Sequence, residues 1–344
     1  MKFGLVGYGL WGQHHAEAIA KAPDAELTAI ACSSEATAAK ARERFPDVKI
    51  HLNADALIND PAIEAIDVVV PNHLHEEIGV AALNAGKHVL LEKPMALSVA
   101  SCDRLIDAAK RSGKVLTIGH ELRLSTQWGR IRKIVDDGAI GTPLYAHMSL
   151  FRFPYRGGSG GWRYDADKVG SWILEEPVHF YDCIMWYFEE LGDPVSLMAT
   201  GNARDRDATN GGAAMADNLT TIMRWPNGQY AVLTQSLSGF EHHHVMEIVG
   251  TKGSLRTWWS GAQDRTRQPS FELKLKSGDE PVENLELGAS GELFELDEQL
   301  RLSVQAFREG RPIVSGEDAR KRILVCLEAE RSLSEGKEVM LNFD

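Results

Sequence analysis

The 344 residues suffice for two domains, and 44% hydrophobic with 25% charged side chains is the make-up of an ordinary soluble chain rather than a disordered one. A net charge of −12 argues against nucleic acid as a main partner, because phosphate backbones need clustered Lys and Arg. A single dinucleotide, held mostly by backbone N–H groups, is not excluded by it. Cys32, Cys102, Cys183 and Cys326 stand far apart with no CxxC pair, so reduced thiols are expected. The apolar start is too short and too broken by glycine for a signal segment, and no run could span a membrane. The expected location is the cytoplasm.

Along the chain, Lys2 to Val6 is a short apolar strand and His14 to Lys21 a helix. Between them lies Gly7-Tyr8-Gly9-Leu10-Trp11-Gly12, a G-x-G-x-x-G segment that follows a strand and opens a helix. In that context Gly7 allows the tight turn, Gly9 lets a pyrophosphate approach the backbone, and Gly12 lets helix and strand pack closely. Glu26 to Cys32 is a second strand. It ends Cys32-Ser33-Ser34 with no Asp to bond a ribose hydroxyl, while Glu35 comes slightly late and no Arg stands nearby. Ser33 and Ser34 could bond a phosphate or merely cap the next helix, Glu35 to Phe45. NAD or NADP is the expected cofactor, and the missing carboxylate favours NADP.

Further strands are expected at Ala65 to Val70, His88 to Leu91 and Val115 to Gly119, with helices at Glu76 to Ala85 and Ser98 to Ser112. Alternation of continuous apolar strands with helices implies a parallel sheet covered on both faces. Glu92-Lys93-Pro94 follows one of these strands, at the carboxyl edge where open α/β sheets bind ligands. Lys93 there could hydrogen-bond, or help deprotonate, a hydroxyl about to lose hydride.

After Arg123 the pattern changes. A helix at Gln127 to Asp137 is followed by extended stretches at Leu144 to Arg152, Leu197 to Arg204, Asn218 to Arg224, Tyr230 to Leu237 and His244 to Gly250. Pro226-Asn227-Gly228 between two of them marks an antiparallel hairpin. Phe151 to Gly161, which contains Tyr155, reads either as a substrate-edge loop or as a plain connection. A helix around Trp172 to Tyr187 is expected to begin near Glu176, because Pro177 fits only a first turn. Val178, Tyr181, Met185 and Phe188 form its buried stripe, and His179 falls in its first turn. A helix N-terminus disfavours imidazolium, so a neutral His179 could accept a proton. Trp258-Trp259 reads as interface or core. His242-His243-His244 in an extended chain point to alternate faces, so no metal site is expected. Helices near Glu292 to Glu309 and Gly316 to Ser334 close the chain. The fold class is therefore an α/β Rossmann domain over residues 1–123, then an α+β domain over 124–344 with an open, mostly antiparallel sheet. The last helices are free to pack back on the first domain.

Several segments, in order and over essentially the whole chain, resemble the glucose-fructose oxidoreductase / inositol dehydrogenase / MocA family. They are Glu92-Lys93-Pro94, Pro71-Asn72-His73-Leu74-His75, Gly119-His120 with Arg123, Trp162-Arg163, and Gly170 to Asp182. The resemblance implies a dehydrogenase that takes hydride from a sugar, anhydrosugar or cyclitol hydroxyl. It implies Lys93, Glu175 and His179 as the proton-handling set. Cofactor contacts would fall on residues 7–12, on Cys32, Ser33 and Ser34, on Pro71, Asn72, His75, Glu92 and Lys93, and on Trp162 and Arg163. A small polyhydroxylated substrate would meet Lys93, His120, Arg123, Tyr155, Arg163, Glu175 and His179. Most members carry Asp at the position of Glu175 and Gly at that of Pro177. A homodimer or homotetramer is also implied. Two other activities occur within such a family: glycoside cleavage by transient oxidation with retained NAD, and non-catalytic NAD(P) sensing.

Overall fold

Runs of apolar residues at the front of the chain form a six-stranded sheet, all parallel, in the order β3-β2-β1-β4-β5-β6. A computed structural model describes residues 1–203, 215–263 and 265–344. The strands are β1 Lys2–Val6, β2 Glu26–Ala31, β3 Lys49–His51, β4 Ala65–Val68, β5 His88–Glu92 and β6 Leu116–Gly119. Four of them, β1, β4, β5 and β6, are buried over nearly their whole length, which is why they read as unbroken apolar runs. The connecting helices are α1 Leu10–Lys21, α2 Glu35–Arg44, α3 Ala54–Ile58, α4 His75–Asn84 and α5 Val99–Ser112. Strand order reverses between β1 and β4, and ligands of such sheets bind outside the strand ends at that point.

The chain divides into two compact units. The first holds Met1–His120, Asp167–Val169 and Leu296–Ile323. The late segment belongs there because α10 (Glu292–Glu309) places Leu300, Val304 and Phe307 in a core with Phe3, Leu5, Ile19 and Ile30. Phe307 lies 6.1 Å from Phe3, ring to ring. The buried Thr117 hydroxyl accepts from the N–H groups of Ile313 (3.1 Å) and Val314 (3.2 Å) and pins the next turn to β6.

The second unit is built on a nine-stranded sheet, β14-β13-β12-β11-β7-β10-β9-β8-β15. Its strands are β7 Pro143–Phe151, β8 Ser196–Asn202, β9 Asn218–Arg224, β10 Tyr230–Ser236, β11 His242–Gly250, β12 Gly253–Gly261, β13 Ser270–Ser277, β14 Glu283–Asn284 and β15 Val339–Met340. Every pairing is antiparallel except β7 with β10. The Pro226-Asn227-Gly228 turn joins β9 and β10 as expected, with Gly228 at φ +86°. The predicted end of β8, Arg204, lies outside the described residues.

Residues alternate inward and outward along β9 and β10, as a sheet covered on one face requires. On the inner face, the buried Tyr181 hydroxyl of α9 (Val178–Tyr187) meets that of Thr221 in β9 at 2.6 Å. The Tyr187 hydroxyl donates to the carbonyl of Trp128 at 2.9 Å, where α6 (Trp128–Asp136) begins. The short helices α7 Ala166–Val169 and α8 Trp172–Glu175 precede α9, and α11 (Gly316–Glu335) leads to the last strand.

The expected helix start at Glu176 needs correction. Ser171 caps α8, accepting from the Leu174 N–H at 3.2 Å, and the chain breaks at Glu176. Pro177 then caps α9 with its φ at −56°. A proline disfavours helical geometry in the residue before it, so one predicted helix becomes two.

Candidate functional site

The glycine loop shows three different reasons for three glycines. Gly7 has φ +103°, and a Cβ there would lie 2.0 Å from the Val69 carbonyl oxygen. A Cβ on Gly12 would lie 2.0 Å from the carbonyl oxygen of Gly7, so the helix could not close on the loop. A Cβ on Gly9 would meet nothing within 4 Å. Gly9 also caps α1 with no side-chain hydrogen bond, which leaves the first-turn N–H groups to a ligand. This open, donor-rich end fits the pyrophosphate of a dinucleotide. Leu10 is exposed beside it, Trp11 packs edge-on to His15, and the Tyr8 ring is buried against Phe45.

At the end of β2 the Cys32 side chain is buried, and burial pushes its thiol pKa up. Ser34 takes the capping role: its hydroxyl accepts from the Thr37 N–H at 3.3 Å. Ser33 stays exposed. Arg42 comes two turns later on α2 and hydrogen-bonds Glu35.

Pro71 precedes a single 3-10 turn, in which the buried Asn72 donates its amide to the Val169 carbonyl at 3.1 Å. His75 is fully buried. Its Nδ1 lies 2.7 Å from the Pro94 carbonyl oxygen and its Nε2 2.9 Å from that of Val70. Both ring nitrogens thus serve the backbone, and any part His75 plays in holding a cofactor is indirect. It fixes the turn that carries Lys93. The Lys93–Pro94 bond is cis, and Lys93 is half-buried directly after β5. Glu92 is buried, with Oε1 3.3 Å from Nε2 of His15. Nδ1 of His15 lies 2.7 Å from Oδ2 of Asp67. Sequence reasoning missed this trio. Its signal was an aspartate inside the apolar strand Ile66-Asp67-Val68. His120 is buried where β6 ends.

In the second unit Glu175 is buried and accepts from Nε of Arg163 at 2.5 Å. The Arg163 guanidinium lies 4.4 Å over the Trp162 ring, so this cation holds a carboxylate and a ring together. His179 is buried in the first turn of α9, and its Nε2 is 3.6 Å from Oε1 of the buried Glu121. Glu121 was not anticipated. It is one residue past His120 in a short 3-10 turn, where nothing in the spacing pointed to a histidine far along the chain. Arg123 is committed to Asp182 through two bonds, Nε to Oδ2 at 2.8 Å and Nη2 to Oδ1 at 2.6 Å. Both side chains are buried, which makes Arg123 a strut for α9 before it is a substrate contact. The Tyr155 ring is buried under the Arg152 guanidinium, 4.4 Å away, and beside Trp172. Arg152 in turn pairs with Glu176. Among the described residues the Tyr155 hydroxyl finds no hydrogen-bond partner.

The histidine run alternates, as an extended chain must. The half-buried His243 hydrogen-bonds Ser260. His244 turns inward and stacks on Trp259 at 5.3 Å. Desolvation pushes the pKa of the half-buried His244 down to about 3, so the ring is neutral near pH 7. Trp259 is buried, whereas Trp258 is half-buried on the opposite face. Among the described residues no cluster of His, Cys, Asp or Glu could hold a metal ion, and no helix is long and apolar enough to cross a membrane.

Comparison with known proteins agrees with this architecture. Residues 1–120 match the oxidoreductase family with an NAD-binding Rossmann fold, and residues 128–256 match the GFO/IDH/MocA C-terminal domain. The chain is 26% identical over 344 residues to myo-inositol 2-dehydrogenase of Thermotoga maritima, covering 99% of this chain and 98% of that one. It is 27% identical over 288 residues to levoglucosan dehydrogenase of Pseudarthrobacter phenanthrenivorans, covering 74% of this chain and 73% of the other. A levoglucosan dehydrogenase structure with NADH and levoglucosan superposes with a TM-score of 0.85 over 99% of each chain, at 22% identity.

Proposed function

The chain belongs to the GFO/IDH/MocA oxidoreductase family, and from that premise we propose that it is an NAD(P)-dependent dehydrogenase of a sugar, anhydrosugar or cyclitol. The observation that carries the cofactor half is the open face of Gly9 at the bare N-terminus of α1. When bound, the nicotinamide supplies the acceptor for the hydride leaving the carbinol carbon.

The chain's own residues handle the proton. His179 takes it from the substrate hydroxyl through one ring nitrogen, and Lys93 assists. Glu175, held by Arg163, orients His179 or a neighbouring substrate hydroxyl. The buried Tyr155 hydroxyl has hydrogen-bonding capacity left for a polyol. The reverse reduction uses the same groups. The relatives named for inositol and levoglucosan support this substrate class.

For the cofactor we favour NADP over NAD. No carboxylate ends β2, and the Glu35 charge is offset by Arg42, so a 2′-phosphate meets no uncompensated anion. A homodimer or homotetramer is the proposed assembly.

The test is the near-ultraviolet absorbance of reduced nicotinamide, followed with NAD+ or NADP+ and a panel of sugars, anhydrosugars and inositols. A rise with one cofactor and a few stereochemically related substrates is expected. No rise anywhere, with cofactor binding confirmed in the same samples, would overturn the dehydrogenase reading.

A further inference from the structure

One buried ionic cluster lies beside the Lys93 turn and takes no part in the chemistry above. His15, on α1, has no exposed surface. Carboxylate oxygens face both of its ring nitrogens: Asp67 from β4 at 2.7 Å and Glu92 from β5 at 3.3 Å. A neutral imidazole donates from only one nitrogen, whereas imidazolium donates from both. Two buried carboxylates without a cation would repel each other and remain poorly solvated. Burial alone would lower the His15 pKa, but Asp67 and Glu92 outweigh it and push it up to about 10.

Glu92 has little freedom to turn away. A Cβ on Gly119 would come within 2.9 Å of its Oε1, so the carboxylate is wedged between the β6 backbone and the imidazole. Burial tends to raise its pKa, yet the adjacent His15, with the charges of Lys93 and His75, holds it below the usual value. The indole of Trp11 covers His15 edge-on, ring centroids 5.1 Å apart. Among the described residues, Asp67, Glu92 and, beyond Glu92, Lys93 and His75 are the charged or titratable groups that act on the cluster.

We propose that His15 is a permanently protonated positioning residue that ties the glycine-loop helix to the Lys93 turn through Glu92. The link to turnover rests on the role assigned to Lys93 above; the protonation state does not. In this arrangement α1 and the end of β5 are held by one cation. Loss of that cation moves the peptide that aims Lys93, while the glycine loop keeps its shape through Gly7 and Gly12.

The protonation state is read by NMR of the full-length protein carrying isotope-labelled histidine. At pH about 8.5, where an ordinary histidine is neutral, both His15 nitrogens should carry protons, and Glu92→Gln should remove one of them. A singly protonated His15 in the unaltered protein at that pH would overturn the proposal, whether or not the protein turns over any substrate. With turnover in hand, His15→Gln and Glu92→Gln should each lower kcat about tenfold or more at saturating cofactor. The double variant should be no worse than either, since the two act as one unit. Cofactor affinity should stay within about threefold in His15→Gln. Unchanged kcat, or losses that multiply, would overturn the link to Lys93. Should His15→Gln fail to fold, Glu92→Gln alone carries both readouts.

Discussion

Nε2 of His179 lies 3.6 Å from Oε1 of Glu121, with both side chains buried in the second unit. A carboxylate at that distance would stabilise the imidazolium formed in the proton transfer proposed for His179. Glu121→Gln should therefore lower kcat/KM about tenfold and move the acidic limb of its pH profile to lower pH. Glu121→Asp should recover part of the loss. An unmoved limb would reduce Glu121 to a packing residue.

Lys93→Met should abolish turnover and leave dinucleotide affinity nearly intact, as titrated by fluorescence. Loss of both together would mean that Lys93 only holds the cofactor.

The glycine loop allows a paired test. Gly7→Ala forces a left-handed backbone on a residue with a Cβ, worth at least about 1–3 kcal/mol, and adds a clash with the Val69 carbonyl. Its melting temperature should fall. Gly9→Ala meets nothing in the protein, so its stability should change by less than about 0.5 kcal/mol. Its dinucleotide affinity should nevertheless fall at least about tenfold, because the new methyl occupies the face left for phosphate. Equal behaviour of the two variants in calorimetry and binding would contradict the division of roles.

Ser34→Ala removes a helix cap, at a cost of about 1 kcal/mol, and should leave the NADP+/NAD+ preference alone. Arg42→Ala should weaken NADP+ at least about fivefold and NAD+ hardly at all if the guanidinium serves the 2′-phosphate. A preference that follows Ser34 instead would reverse the assignment.

Two histidines bend the stability curve in opposite directions. The folded His15 pKa, about 10, exceeds its unfolded value of about 6.5. Its stabilisation is complete below pH about 6.5 and is lost as the pH rises towards 10, because the folded state holds the extra proton. His244 is depressed to about 3. Its contribution is complete above pH about 6.5 and is lost as the pH falls towards 3, because the unfolded chain takes up the proton. In urea titrations over pH, His244→Phe should flatten the acid limb and His15→Gln the alkaline limb. Limbs unchanged in both variants would refute the assignments.

The first unit was legible because its strands are buried on both faces and its glycines stand at fixed offsets from a strand. β3 and α3 escaped because each is too short to show a period. In the second unit β12 and β13 escaped. Trp258 and Trp259 drew notice as a pair, although their opposite faces are what mark a strand. At the site, Lys93 and His179 were singled out from local sequence, by the proline after the one and the helix start before the other. Partners joined only by folding, Glu121 with His179 and Asp67 with His15, were not. Ionic complementarity across a fold leaves no spacing in the chain.

The lone parallel pairing of the second sheet has a consequence for how the chain is made. β7 lies between β10 and β11, so two antiparallel meanders meet only through it. It is synthesised before either partner, and β8 and β9 must follow before its first neighbour exists. A growing chain therefore carries an apolar strand with both edges bare, open to association with other chains until the later meanders emerge. Closing such distant contacts is slow, and assembly of this unit should be governed by the wait at β7.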